Sequence, residues 1–294
     1  MYAPEFDYYR AKSIAEAGEL LKKYPGAKLL AGGHSLIPLL KLRLASPPAL
    51  VDIGRIAELK GIGVKDGKVR IGALTTHAEL ASSTELRAQC PALAEAASHV
   101  GDPAVRNRGT IGGNVAHADP ASDLPTVLTA LGARFESVGP GGKKTVDANA
   151  FFQGMMATAL GEQDVLTGIE VAAQAAGQGG SYVKFVHPAS RYAVIGVAAI
   201  ITAAAGSCTS AAIALGGLVP RPVRASSVEK AITGQPLSPD TIAKAAGRIS
   251  EDLGSEVLGD IFASAEYRRA VAPVWVKRAL TKAAERAMSQ AATV

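Results

Sequence analysis

At 294 residues the chain is long enough for two domains, and 48% hydrophobic against 19% charged residues excludes a disordered, collagen-like or coiled-coil protein. Its 31 Lys and Arg outweigh 26 Asp and Glu for a formal charge of +5, but they are dispersed along the chain, which argues against a nucleic-acid partner and fits an ordinary solvated surface. With only Cys90 and Cys208, neither a disulfide framework nor a cysteine-held iron–sulfur cluster can be built from this chain, so a reducing compartment fits.

The first ten residues hold two acids and no apolar run of signal length, so the chain reads as cytoplasmic. Residues 1 to 50 then read as strand, helix, strand, loop, helix, strand. Ser13 and Glu16 form a capping box, and the helix they open runs to about Lys23, where Pro25-Gly26 ends it. Lys28 to Ala31 is a predicted buried strand, Gly32-Gly33-His34-Ser35 a loop, Leu36 to Leu44 a helix and Leu50 to Ile53 a strand. From Gly61 to about Val171 short strands (Gly61 to Val64, Val69 to Ile71, Arg134 to Ser137, Val165 to Val171) alternate with helices near Thr76 to Ala81 and Pro91 to Val100, which makes a second α+β unit. The run Gly139-Pro140-Gly141-Gly142-Lys143-Lys144-Thr145 lacks the first glycine of a phosphate-binding P-loop and reads as a hairpin turn. Ala172 to Gly180 has no side chain able to anchor a core and is the predicted linker.

Between Arg191 and Arg221 no residue is charged, and Ala193 to Ala205 is apolar enough to raise the question of a membrane span. The β-branched residues Val194, Ile195, Val197, Ile200 and Ile201 and the Gly206-Ser207 turn fit two buried strands better. Ser226 to Glu229 is another S-x-x-E helix start, and Ser238-Pro239-Asp240 puts proline near the first helical position. A last helix runs to about Ala287, with Pro273 expected to break or kink it. The division this implies is a domain of residues 1–175, with subdomains of about 1–55 and 56–175, followed by a second domain of 176–294.

Two segments pair glycines with hydroxyl side chains. In Ala31-Gly32-Gly33-His34-Ser35 a strand end meets two glycines and a helix, and Thr110-Ile111-Gly112-Gly113-Asn114 repeats the pattern. Glycines let the backbone turn its amides outward and let a ligand approach without a Cβ in the way, which suits an anion. Each segment alone is also what a tight turn needs. Together they suit the two phosphates of a dinucleotide, provided the fold joins two segments far apart in sequence. No G-x-G-x-x-G occurs, which argues against a Rossmann NAD site. His117, Asp119 and Asp123 read either as metal ligands of a hydrolase or as a turn at Asp119-Pro120 followed by a helix that Asp123 caps, with Asp123 free to face a ligand.

These residues resemble the FAD-binding medium subunit of molybdenum hydroxylases, the xanthine dehydrogenase family. Ala31-Gly32-Gly33-His34-Ser35-Leu36-Ile37-Pro38 is similar to its first flavin-diphosphate loop, and Arg106 to Asn114 to its second. Asp119 to Pro125 is similar to the segment whose last aspartate, here Asp123, contacts the ribityl chain. Val165 to Ile169 is similar to the strand whose leucine, here Leu166, lies near the isoalloxazine. Leu215 to Ala225 and Ala265 to Arg269 resemble that subunit's separate C-terminal domain. Within the family, His34 followed by Ser-Leu-Ile-Pro and the run Lys184 to Tyr192 look most like the medium subunit of aerobic carbon monoxide dehydrogenase, which puts Lys184 near the flavin and Tyr192 against its ring. Taken alone, these two read as a solvated amine and an edge-of-core aromatic.

The resemblance implies an α+β fold: an FAD-binding domain of two α/β subdomains of the vanillyl-alcohol-oxidase (PCMH-like) type, then a domain of a small antiparallel sheet with a helix bundle. It implies FAD as the cofactor, a small subunit with two [2Fe–2S] clusters that delivers electrons, and a large molybdopterin-binding subunit that oxidises the substrate. A dimer of heterotrimers and an acceptor such as a quinone go with it, the latter through peripheral contact with the inner face of the membrane by a chain without a transmembrane segment. The competing readings are the metal-dependent hydrolase on His117, Asp119 and Asp123 and a non-catalytic scaffold that only binds partner subunits.

Overall fold

The structure, a computed structural model, describes residues 2–291. Strand β1 (Asp7–Arg10), helix α1 (Ile14–Lys23), β2 (Lys28–Leu30), α2 (Leu36–Lys41) and β3 (Ala49–Asp52) form the first unit, whose sheet is parallel in the order β1-β3-β2. Ser13 Oγ accepts the Glu16 amide at 3.1 Å as predicted, but Glu16 reaches past the Ser13 amide to that of Lys12 at 2.7 Å, so the hydroxyl half of the predicted capping box is present and the carboxylate half is shifted by one residue. Helix α2 stops at Lys41 rather than Leu44, where Arg43 takes a left-handed conformation (φ 56°). The buried stripe of Ala17 and Leu21 meets Val51 and Ile53, and the core extends to Leu74 and Val165 of the next unit.

The second unit comprises β4 (Ile62–Lys65), β5 (Lys68–Gly72), α3 (His77–Ser82), α4 (Thr84–Gln89), α5 (Pro91–His99), α6 (Pro103–Arg108), α7 (Ile111–His117), α8 (Asp123–Ala130), β6 (Arg134–Gly139), β7 (Gly142–Asp147), α9 (Ala148–Phe151), β8 (Phe152–Gly154), β9 (Ala157–Thr158) and β10 (Val165–Ala172). Its five strands are antiparallel in the order β4-β5-β10-β6-β7, and the glycine-rich run at 139–142 turns the β6–β7 hairpin. Two expectations change here. Gly112, Gly113 and Asn114 lie inside α7, which Thr110 caps by accepting the Gly113 amide, rather than in a loop. Ser122 holds the N-cap position of α8 and Asp123 is its first helical residue. Every residue of α8 is buried, because the helix is covered on all sides.

The third unit has β11 (Gln178–Val186), β12 (Ala193–Ala204), β13 (Ser207–Gly216) and β14 (Val223–Arg224) in antiparallel order, followed by α10 (Ser226–Ile232), α11 (Pro239–Gly247) and α12 (Ala265–Ala291). The uncharged run is the strand pair β12–β13. Helices α5 and α8 pack on one face of this sheet and α12 on the other, which is why its centre reads as continuously apolar. Among the described residues no helix is long and apolar enough to cross a membrane.

Three expectations fail in this unit. The predicted linker ends before Gln178, since Gly179 and Gly180 are buried in β11: a Cβ on Gly179 would run into the Ala283 carbonyl and the Ala287 amide of α12. The glycines there permit close helix–sheet contact rather than flexibility. Glu229 does not cap α10; it accepts the Ile213 amide at 2.7 Å and Arg224 Nε at 2.7 Å, tying the helix to β13 and β14. The break that Pro273 allows for does not occur: helix α12 continues through it, because its buried stripe of Ala272, Val276, Ala279, Leu280, Ala283 and Ala287 is held on the sheet along its length.

Candidate functional site

The two glycine segments meet. Gly32 packs so tightly on Arg108 and Gly109 that a Cβ would collide with the Arg108 carbonyl and stop 2.9 Å from Gly109 Cα. Gly113 looks across the same junction toward Ala31, and the nearest atom to a Cβ there is Thr110 Oγ1 at 3.0 Å. Gly112 is locked from below by Ala73, whose carbonyl accepts its amide at 2.8 Å, and the Ile111 amide donates to the Thr75 carbonyl at 2.9 Å. Gly33 takes φ +77°, a left-handed turn that a Cβ would strain.

The donors are distributed unequally between the two segments. In the second, the amides of Ile111, Gly112, Gly113 and Asn114 all have acceptors within the chain, leaving only the Thr110 amide without one among the described residues. In the first, the amides of Gly32, Gly33, His34 and Ser35 have no acceptor among the described residues. Four successive uncommitted donors beside a half-buried glycine turn are a cradle for an anion. Asn114 adds an orphan: its Nδ2 donates to Ser122 Oγ at 3.1 Å, while its buried Oδ1 has no partner.

Asp123 and Lys184, expected to face a ligand separately, face each other. Lys184 Nζ donates to Asp123 Oδ2 at 2.9 Å and to the His99 carbonyl at 3.0 Å, and Tyr182 Oη donates to Asp123 Oδ1 at 2.6 Å. Both carboxylate oxygens are engaged. Lys184 is 7% exposed, so the solvated amine is overturned: β11 turns Tyr182 and Lys184 to the same face, onto α5 and α8. Burial pushes the Asp123 carboxyl up, against the pull of Lys184 and the Tyr182 hydrogen bond. The pair remains close to the glycine segments because Ser122, next to Asp123, is the residue that Asn114 holds.

Tyr192 is 45% exposed, just before β12, in a loop closed by the His187 amide on the Tyr192 carbonyl. Burial, then the charges of Asp119 and Asp123, raise its phenol, which places it beside the same segment. Leu166 is buried in β10, against which α7 packs. Asp119 serves its own turn, accepting the Ala121 amide at 2.9 Å, and with both Asp123 oxygens taken, no group of His, Cys, Asp and Glu able to hold a metal forms among the described residues. The metal-dependent hydrolase is thereby corrected.

Sequence reasoning passed over two residues. His77 is buried under the second segment, its ring 2.8 Å from where a Gly109 Cβ would sit and its Nδ1 without a partner. Burial, then the charges of His34 and Arg106, lower its pKa to about 4, so the ring is neutral. No sequence signal marks it. Tyr182 had one: it sits two residues from Lys184 in a strand, hence on the same face.

Residues 4–173 match the family model of the FAD binding domain in molybdopterin dehydrogenase, and residues 181–283 that of the CO dehydrogenase flavoprotein C-terminal domain. The chain is 40% identical to the carbon monoxide dehydrogenase medium chain of Hydrogenophaga pseudoflava, over 96% of this chain and 98% of that one. It is 38% identical to the glyceraldehyde dehydrogenase medium chain of Sulfolobus acidocaldarius, over 97% and 100%. It superposes with TM-score 0.93 and 42% identity on a chain of the carbon monoxide dehydrogenase from Hydrogenophaga pseudoflava that lacks the Mo-pyranopterin moiety of its molybdenum cofactor, covering 97% of this chain and 99% of that one. The scaffold reading falls with these matches. The uncommitted amides of Gly32 to Ser35 and the orphaned Asn114 Oδ1 fit a flavin dinucleotide, and the chain belongs to the family of FAD-binding subunits of molybdenum-containing hydroxylases.

Proposed function

We propose that this subunit carries electrons from the [2Fe–2S] clusters of a small partner subunit to an external acceptor such as a quinone, in an aerobic carbon monoxide dehydrogenase whose large molybdopterin subunit oxidises the substrate. The single observation that carries the reading is the junction of Gly32 with Arg108 and Gly109, which brings a row of uncommitted amides to a second glycine segment. FAD, when bound, supplies the electron chemistry.

The residues of this chain hold and orient the cofactor. Gly32, Gly33, His34 and Ser35 donate main-chain amides to the diphosphate, charge-assisted bonds worth about 1.5–3 kcal/mol each, and Ala31 closes the side toward Gly113. From the other side Thr110 offers one main-chain amide, on a backbone that Gly112 and Gly113 keep free of side-chain bulk, while Asn114 Oδ1 accepts from a sugar or ribityl hydroxyl of the cofactor. Asp123 and Lys184 act as one neutralised pair behind the ribityl chain, with Leu166 toward the ring. The Tyr192 phenol covers one face and leaves an edge open to the acceptor.

The identity of 40% to a carbon monoxide dehydrogenase medium chain supports the substrate and a complex of medium, large and small subunits, and a dimer of heterotrimers is the assembly proposed for it. A cytoplasmic complex that touches the inner face of the membrane suits a quinone acceptor. Rapid mixing of the purified complex with carbon monoxide tests the reading. Bleaching of the flavin absorption after carbon monoxide is expected; bleaching by glyceraldehyde and not by carbon monoxide would assign an aldehyde substrate instead.

A further inference from the structure

Helix α5 ends at His99, and the carbonyls that follow collect cations from three other places in the fold. His99 O accepts Lys184 Nζ at 3.0 Å, Val100 O accepts Arg106 Nη1 at 3.0 Å, and Gly101 O accepts both Arg106 Nη1 at 3.3 Å and Arg191 Nε at 2.9 Å. Terminal carbonyls carry partial negative charge, so cations belong there. What distinguishes this turn is where the cations come from. Arg106 lies in α6, just ahead of Gly109 and Thr110. Arg191 precedes Tyr192 in a loop that is internally bonded: the Arg191 amide donates to the His187 carbonyl at 2.9 Å, the His187 amide to the Tyr192 carbonyl at 2.9 Å and the Ser190 amide to His187 Nδ1 at 3.2 Å. Such a loop is braced from within, and the Ala193 amide that follows it donates to the Ala121 carbonyl of the FAD-binding unit at 3.1 Å. Its side-chain tie to the FAD-binding domain is the Arg191 guanidinium, held out from a left-handed backbone (φ 60°) that a residue with a side chain rarely adopts.

We propose that Arg191 is a positioning residue: by holding the Gly101 carbonyl that Arg106 also holds, it fixes the His187–Tyr192 loop, and the Tyr192 ring with it, in register with the second diphosphate segment. This rests on the reading that places Tyr192 against the flavin ring. Arg191 touches neither flavin nor acceptor in this account. It decides where the ring wall stands.

The test uses the assembled holoenzyme carrying Arg191→Gly, which suits the left-handed backbone while deleting the guanidinium, with Arg191→Asn as a second deletion and Arg191→Lys as the conservative variant. The readouts are the visible circular dichroism of bound FAD, its midpoint potential and its dissociation constant. Both deletions are expected to keep the wild-type melting temperature, to shift the flavin dichroism and potential in the direction that Tyr192→Ala shifts them, and to weaken FAD about tenfold, with Arg191→Lys recovering most of the change. Arg191→Gly combined with Tyr192→Ala is expected to be no worse than Tyr192→Ala alone. If Tyr192→Ala moves the dichroism and the Arg191 deletions do not, or if the two losses add, the positioning role is wrong and the Tyr192 reading stands. If neither residue moves it, the Tyr192 reading falls and the role of Arg191 with it.

Discussion

Gly32 and Gly109 are the contact through which two distant segments become one site, and neither tolerates a side chain: at Gly32 the obstacle is backbone, and at Gly109 it is the His77 ring at 2.8 Å. His77 therefore supports the second segment as a neutral wedge. The folded protein keeps it uncharged down to about pH 4, whereas an unfolded chain protonates it near 6.5. In that window the unfolded state binds the extra proton, so stability falls as pH falls through it, by about 3 kcal/mol in total, and above pH 6.5 the group contributes no pH dependence. Urea unfolding of the wild type and His77→Gln from pH 7 to 4 checks this: the variant is expected to lose less stability on acidification. Parallel curves would remove His77 from the account. The glycines were legible as a pattern, because turning amides outward needs them. His77 was not, since nothing in Thr76-His77-Ala78-Glu79 distinguishes a wedge from a surface histidine.

At the scale of elements, β11 shows why the predicted linker was misread. Composition without anchoring side chains looks flexible, yet alternation gives each residue a face: Gly179 and Ser181 meet α12, with Ser181 Oγ donating to the Ala279 carbonyl at 2.8 Å, while Gly180, Tyr182 and Lys184 turn to α5 and α8. Gly179→Ala is expected to destabilise the chain by about 1–3 kcal/mol, since the methyl meets helix backbone that cannot yield as a side chain would. Thermal unfolding beside Gly63→Ala, in β4, where a Cβ meets nothing within 4 Å, separates packing from the general effect of adding a methyl; equal shifts would contradict it. Pro273 teaches the same lesson from the other side. Proline is a local stop signal, and the packed stripe of α12 overrides it. Capping chemistry transferred well where the partner lay in the same helix, as at Ser13 and Ser238, and failed at Glu229, whose partners lie on β13 and β14.

Across the whole molecule, α8 is the keel on which the FAD-binding unit and the C-terminal sheet share a core, and Asp123 at its first turn is the polar fastening between them. The chain order of the units and the place of the uncharged strand pair could be read from the sequence. The Asp123–Tyr182–Lys184 cluster could not, because it depends on which face of β11 meets which helix. Removing one partner of a buried pair leaves an uncompensated charge, so Lys184→Met is expected to cost about 3–5 kcal/mol, while Lys184→Met with Asp123→Asn costs less than Lys184→Met alone. Urea unfolding of the two variants decides it, and a double variant that is less stable than the single would refute the fastening.

If the joined glycine segments hold the flavin diphosphate, FAD occupancy must depend on the space beside Gly113, and the Gly113→Asp complex measures that dependence. Gly113 is exposed and is the third residue of α7, where an acidic side chain suits the helix, so the fold is expected to persist. A carboxylate there would sit beside the phosphates, and like charges about 4 Å apart at the effective dielectric of a protein surface repel by about 4 kcal/mol, which weakens FAD by about three orders of magnitude. The Gly113→Asp complex is expected to fold, to purify without yellow colour and to release no FAD on denaturation. A Gly113→Asp complex with one FAD per chain and wild-type affinity would contradict the diphosphate assignment.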